Sequence, residues 1–264
     1  MFNLTPTVKN LLIINVVVFI MQSFMKDLHL SELLAMYRIN SIFFEPYQIF
    51  TYMFAHADFF HILFNMLFLV FLGSSLEMAW GGKKFLMFYI VTGIGAGIFY
   101  AIIGLVQTSG LQSDLQSYRD NPSVETFTIM VDDHRKKLSK LRFNDGSSIY
   151  EFLEKYEKNP EALQSKSVDL SREMEEYLVT RYPGRVIGAS GAMYGLLMAF
   201  GMMFPERQLM LLFPPIPIKA KYFVLILGGM ALYSGLKGNP ADPVAHLVHL
   251  GGMVFGFIMV KFFK

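Results

Sequence analysis

The chain has 264 residues, 53% hydrophobic and only 17% charged, with 26 Phe and 18 Met, which leaves too little charge to clothe an ordinary soluble domain. Cysteine is absent, so disulfides, thiolate metal sites and a cysteine nucleophile are excluded, and a net charge of +2 gives no reason to expect a nucleic-acid partner. Residues 107–184 hold 11 Lys+Arg and 14 Asp+Glu, leaving 12 and 7 for everything else: an apolar body interrupted by a polar insert.

A bilayer core of roughly 30 Å needs about 20 mostly apolar residues per helix. Six segments answer to this, at 11–25, 59–79, 85–106, 186–204, 222–236 and 244–263. They predict an all-α polytopic membrane protein of six spanning helices. The first follows Lys9, but "MQSFMKDLHL" after it has no small-x-small cleavage pattern, so it reads as a retained helix rather than a signal peptide. The loop after it, "KDLHLSELLAMYRINSIFFEPYQIFTYMFAHAD", has an amphipathic middle and too much charge to span, which predicts an interfacial segment. With the N-terminus inside, the inner side carries eight Lys/Arg against three in the short outer loops. That bias predicts both termini cytoplasmic and the insert outside.

The chain therefore divides into 1–106 (three helices), 107–184 (extramembrane insert) and 185–264 (three helices). Within the insert, "VETFTIMV" alternates like a strand, Ser148 and Glu151 make a capping-box pattern for a helix ending at Asn159-Pro160, and "DLSREMEEYLVTRY" reads as a second helix. The prediction is a small α/β unit; the competing reading is a disordered loop.

Strongly polar side chains inside hydrocarbon cost several kcal/mol unless they face a partner or a water-filled cavity. In the second segment His61 and Asn65 stand four apart, on one helix face. In the fourth, "GASGAMYG" sets Ser190 among Gly188, Gly191 and Gly195, with Tyr194 one turn on. In the sixth, "HLVHLGGMVFG" puts His249 ahead of Gly252 and Gly256, with His246 one turn earlier; His56 and Asp58 fit an interface. Taken singly, each set is also explained as interhelical hydrogen bonding or close helix packing. Together they differ: in the inferred topology His61, Ser190 and His249 each lie near the outer start of their helix. A serine, an imidazole to take its proton and a His/Asn pair to hold an oxyanion are the parts of acyl transfer. The backbone N–H of Ser190, near a helix N-terminus whose first amides lack intrahelical partners, is a further candidate oxyanion donor. Asp58, Glu77 and Asp242 all lie at membrane edges, away from the base, so a dyad is implied. His246 and His249 with only His61 beyond them make a poor metal site, and neither metal nor cofactor is expected.

With these pieces in this order, the sequence resembles the rhomboid family of intramembrane serine proteases, through "HILFNM", "GASGAMYG" and "HLGGMVFG". The resemblance covers the chain outside the insert and implies a rhomboid-like six-helix bundle. It implies Ser190 as nucleophile, His249 as general base, and His61 with Asn65 as the oxyanion pair. Tyr194 would pack on the imidazole in place of an orienting carboxylate; Gly188 and Gly191 belong to the serine motif, and Gly252 and Gly256 would let the sixth helix approach the fourth. It further implies single-pass or multi-pass membrane-protein substrates cut in or near a transmembrane segment within the lipid bilayer, a bacterial plasma membrane, a mobile fifth helix and "KGNPADP" as a cap. Neither the substrate nor the oligomeric state follows. The departure is the insert, which stands where compact bacterial members have a short loop. Two other classes compete: an inactive relative that binds membrane clients, which predicts loss of the serine or histidine, and a small transporter, which predicts polar residues along a whole pore.

Overall fold

The computed structural model describes residues 4–139, 141–180, 185–210, 215–237 and 243–263. In chain order the helices are α1 (Pro6–Phe24), α2 (Leu30–Leu34), α3 (Gln48–Thr51), α4 (Phe59–Phe68), α5 (Ser74–Trp80), α6 (Gly82–Asp120), α7 (Val124–Asp133), α8 (Arg135–Leu138), α9 (Ile149–Lys158), α10 (Pro160–Thr180), α11 (Ser190–Met203), α12 (Ala220–Lys237) and α13 (Pro243–Phe263). One antiparallel hairpin, β1 (Gln208–Met210) with β2 (Pro217–Lys219), pairs Leu209 with Ile218. The protein is thus an all-α polytopic fold. Four described helices are long and apolar enough to cross a membrane: α1, the Phe59–Trp80 rod, α6 and His246–Phe263 of α13; α11 and α12 are apolar but shorter.

The residues form two compact units, Met1–Tyr37 with Phe44–Ala101 and Arg185–Lys264, and Arg38–Phe43 with Ile102–Gly184. In the first unit burial sorts the helices. α1 buries only Val8, Leu11 and Asn15 and leaves Ile13, Ile14, Val17 and Ile20 exposed, as a helix facing lipid does. α11 is buried on all sides, from Gly191 and Met193 to Leu197 and Phe200, and is the central helix of its unit. Its most extensive packing is with α13. α4 and α5 are joined by a π-helical turn, Leu69–Gly73. Glu77 of α5 accepts from Thr5 Oγ1 (2.5 Å), Thr7 N (2.9 Å) and Val8 N (2.9 Å), satisfying the open amides at the start of α1 from a different helix.

The second unit has a core of its own around Leu111, Leu115, Phe127, Phe152, Tyr156 and Met174. Phe127 meets Tyr118, Phe152 and Tyr156 edge-on at centroid distances of 5.1, 5.7 and 5.7 Å. Buried Arg38 donates to the Gly104 carbonyl (2.8 Å) and to Gln107 Oε1 (2.8 Å). The capping box at α9 is formed: Glu151 N donates to Ser148 Oγ (3.2 Å) and Ser148 N to Glu151 Oε2 (2.6 Å).

Three expectations change. "VETFTIMV" is not a strand but the start of α7, and the described part of the insert is a set of helices joined by turns, with an isolated bridge between Arg142 and Ser148. Its buried residues are Phe127, Met130 and Val131, a helical period, and Ser123 and Thr126 close a reciprocal capping box that favours helix over strand. The third apolar segment does not end its helix at 106, because α6 continues through polar sequence to Asp120. The fourth does not begin as helix: Val186 pairs with Met36 as an extended bridge, and α11 starts at Ser190.

Candidate active site

Ser190 is the first residue of α11 because the chain ahead of it cannot be helical. Val186 exchanges two backbone hydrogen bonds with Met36 (2.9 and 3.0 Å), and the Gly188 N–H donates to the Tyr52 carbonyl (2.8 Å). Gly188 then turns at φ +122°, a conformation that suits glycine. The first intrahelical bond at this end runs from Met193 N to Ala189 O (3.0 Å), so the amides of Ser190, Gly191 and Ala192 precede the ladder. α11 is 14 residues, about 21 Å at 1.5 Å per residue, against roughly 30 Å of hydrocarbon. A helix that short puts at least one of its ends below the membrane surface.

Ser190 Oγ lies 2.8 Å from His249 Nε2. For Nε2 to accept the hydroxyl proton, the ring must carry its own proton on Nδ1, which is buried without a hydrogen-bond partner among the described residues. Among the described residues no carboxylate orients this ring. Tyr194 does so by its face: the two rings are stacked at 4.1 Å and 4°. Ser190 and Tyr194 are one helical turn apart, which is why one imidazole meets the hydroxyl with its edge and the phenol ring with its face.

The meeting depends on backbone-to-backbone contact between α11 and α13. A Cβ on Gly252 would fall 1.9 Å from the Gly191 carbonyl oxygen, and one on Gly256 2.8 Å from that of Gly195. Gly191 and Gly195 are equally tight against α6, where added Cβ atoms would sit 2.7 Å from Ala96 Cβ and 2.7 Å from Thr92 Cβ.

His61 and Asn65 lie on α4, capped by Asp58 Oδ1, which accepts the His61 N–H (2.9 Å). The Cε1–Nε2 edge of His61 abuts Gly188, where an added Cβ would come within 2.7 Å of both atoms. Nδ1 of the same ring accepts the Ala57 N–H (3.3 Å), so the ring proton belongs on Nε2. Asn65 is buried and gives one amide proton to the His61 carbonyl (2.8 Å), keeping one more to offer. His246 is 6.2 Å from His249, ring to ring.

His56 is 2% exposed and packs edge-on to His61 at 5.1 Å. Gln22, which ties the main chain of His56 to α1, carries no signal in the sequence beyond being a polar residue near the end of an apolar helix. Of the expected cap, "KGNPADP", residues 238–242 lie outside the described residues.

Four long apolar helices, among them α1 with its lipid-like exposure, and a central helix buried on every side define a multi-pass membrane protein with a serine and a histidine joined between two of its helices. The chain belongs to the rhomboid family: a model of the Rhomboid domain matches residues 44–113 and 170–263, more than half its length. A search of curated proteins gives no match.

Proposed function

We propose that the protein is an intramembrane serine endopeptidase that cuts membrane-protein substrates with the dyad Ser190–His249. The observation that carries this reading is the 2.8 Å contact between Ser190 Oγ and His249 Nε2, made by side chains from two apolar helices. Serine is un-ionised at neutral pH and needs a base as it attacks. In the proposed reaction Ser190 Oγ bonds to the scissile carbonyl carbon while His249 Nε2 takes its proton. The negative charge that develops on the carbonyl oxygen is held by His61 Nε2–H, the second amide proton of Asn65 and the Ser190 N–H. The imidazolium returns its proton to the departing amine, and water then cleaves the acyl-enzyme by the same route in reverse. The Tyr194 face stacked on His249 fixes the orientation of the ring. A peptide bond within a substrate helix is hydrogen-bonded and shielded, so local unwinding precedes attack, which favours substrates with helix-weakening residues near the cut.

The membrane orientation belongs to this proposal: both termini cytoplasmic and the insert outside, from the Lys/Arg bias of the short loops. The test is cleavage of a fluorogenic transmembrane peptide by detergent-purified protein, its Ser190→Ala variant and its His249→Ala variant, with fluorophosphonate labelling of Ser190. The expected result is loss of turnover in both variants by at least about 10³-fold. Turnover surviving in either variant overturns the dyad. A folded wild type that neither cleaves nor labels assigns the chain to the inactive, client-binding class instead.

A further inference from the structure

A neutral imidazole has one proton and two nitrogens, and only the tautomer with the proton on the correct nitrogen can donate to an oxyanion. In His61 the nitrogen facing Gly188 is Nε2. What keeps the proton there is the Ala57 N–H, which points at Nδ1 from 3.3 Å and would confront a second N–H if the ring proton moved. Ala57 is solvent-exposed and lies in the turn before α4, so it does not hold itself in place.

The residue before it is held from another helix. The His56 N–H donates to Gln22 Oε1 (3.1 Å), and Gln22 Nε2 donates to the His56 carbonyl (3.5 Å) and to Ser31 Oγ (2.8 Å). The Gln22 amide thus pairs with the peptide groups of His56 as a neighbouring strand would, and Ser31 fixes which way the amide points. The His56 ring completes the arrangement. It packs edge-on to His61 (5.1 Å, 70°), and both its nitrogens are buried without hydrogen-bond partners among the described residues. This ring is therefore a wall against His61.

We propose that Gln22 is a positioning residue for the oxyanion imidazole: through the main chain of His56 it holds the Ala57 N–H against His61 Nδ1, and so keeps the ring proton on Nε2, facing Gly188. The inference rests on the catalytic reading above for its effect on turnover, but its effect on the tautomer is independent of any activity. Because the oxyanion exists only in the transition state, the defect belongs in kcat and not in KM.

The experiment uses the full chain in detergent, with wild type, Gln22→Ala, Gln22→Glu and Ser31→Ala compared. The ring nitrogens of His61 are read by ¹⁵N NMR of histidine-labelled protein, assigned with a His61→Asn variant. The expected wild-type signature is a single Nε2–H tautomer. In Gln22→Ala the two nitrogen shifts move toward each other and kcat falls about tenfold or more, within the ~10²–10³ that loss of a whole oxyanion donor costs, with KM within about twofold. Gln22→Glu keeps the acceptor for the His56 N–H and recovers part of both readouts; Ser31→Ala gives a smaller change of the same sign. These two variants carry the test if Gln22→Ala does not fold. Unchanged ring shifts in the folded variants overturn the inference, as does a loss expressed in KM alone. Cleavage that persists in Ser190→Ala would remove the proposed function while leaving the tautomer result to stand or fall by itself.

Discussion

A methyl group at residue 252 has nowhere to go. Its Cβ would lie 1.9 Å from the Gly191 carbonyl oxygen, an atom of rigid helical backbone, so α13 must withdraw and take His249 away from Ser190. Gly252→Ala is therefore expected to destabilise the fold by about 1–3 kcal/mol and to depress turnover more than stability alone explains. Gly229 of α12 is the control: nothing lies within 4 Å of its added Cβ, so Gly229→Ala is expected to be neutral or stabilising by up to about 1 kcal/mol. Thermal unfolding in detergent alongside peptide cleavage distinguishes the two; equal effects would mean that the glycine pairs are not what brings the helices together. The histidine at 56 makes a separate prediction. Burial, followed by the nearby His61, pushes its pKa down to about 4. Its unfolded value is near 6.5, so below that pH the unfolded chain binds a proton that the native ring refuses. The contribution of His56 is then fully present above pH 6.5 and is lost as pH falls from there toward 4. His56→Phe keeps a ring in the same place without a titrating group. The stability difference between wild type and this variant is expected to shift against wild type across that interval, and a difference independent of pH would refute the assignment. The four-residue spacings of Ser190 with Tyr194, Gly191 with Gly195 and Gly252 with Gly256 are visible in the sequence, while the choice of His249 over His246 and the pairing of Tyr194 with the imidazole came only from the resemblance to the rhomboid family. The Gln22–His56 link is not visible there, since it joins a helix to a turn 34 residues away through main-chain groups, which have no side-chain signature.

At the scale of elements, polarity pattern and geometry part company. "VETFTIMV" satisfies a two-residue alternation, yet its ends decide the matter: a capping box at Ser123 and Thr126 starts a helix, and burial then follows residues 127, 130 and 131. Likewise the apolar run from 186 is uniform in hydropathy, but the positive φ of Gly188 and the Val186–Met36 bridge withhold its first residues from α11. Hydropathy locates such a segment without locating the start of its helix, and here the start is where Ser190 sits. α1 shows an element held by another. Few of its residues are buried, and its first-turn amides are satisfied by Glu77 of α5 together with the Thr5 hydroxyl. Glu77→Gln replaces a charged double acceptor with an amide offering one oxygen and an unwanted donor, and is expected to cost about 1–3 kcal/mol. The loss should appear as faster hydrogen exchange in residues 7–10, while α11 and α13 remain protected. Uniform acceleration throughout the unit would show instead that Glu77 supports the whole core.

For the whole molecule, the family match and the packing both single out the insert. The matched residues stop at 113 and resume at 170, and the segment between them lies in a unit with its own buried aromatic cluster. A polar segment that folds around a private core is not needed to complete the core around α11, which is formed by other residues. We propose that its role is substrate choice, because only six residues of sequence separate its end at 184 from Ser190. Replacing residues 109–184 with a flexible linker tests this while keeping Gly104, Gln107 and Thr108, the partners of Arg38 and Asn40. The deletion is expected to leave cleavage of a generic transmembrane peptide within a few fold of wild type. It should lower cleavage of a native partner, recovered by crosslinking to the Ser190→Ala protein, by at least about tenfold, which corresponds to about 1.4 kcal/mol of discrimination. Equal loss for both substrates would make the insert a structural support of the protease, and equal retention would make it dispensable to catalysis and choice alike. Only a loss confined to the native partner assigns specificity to it.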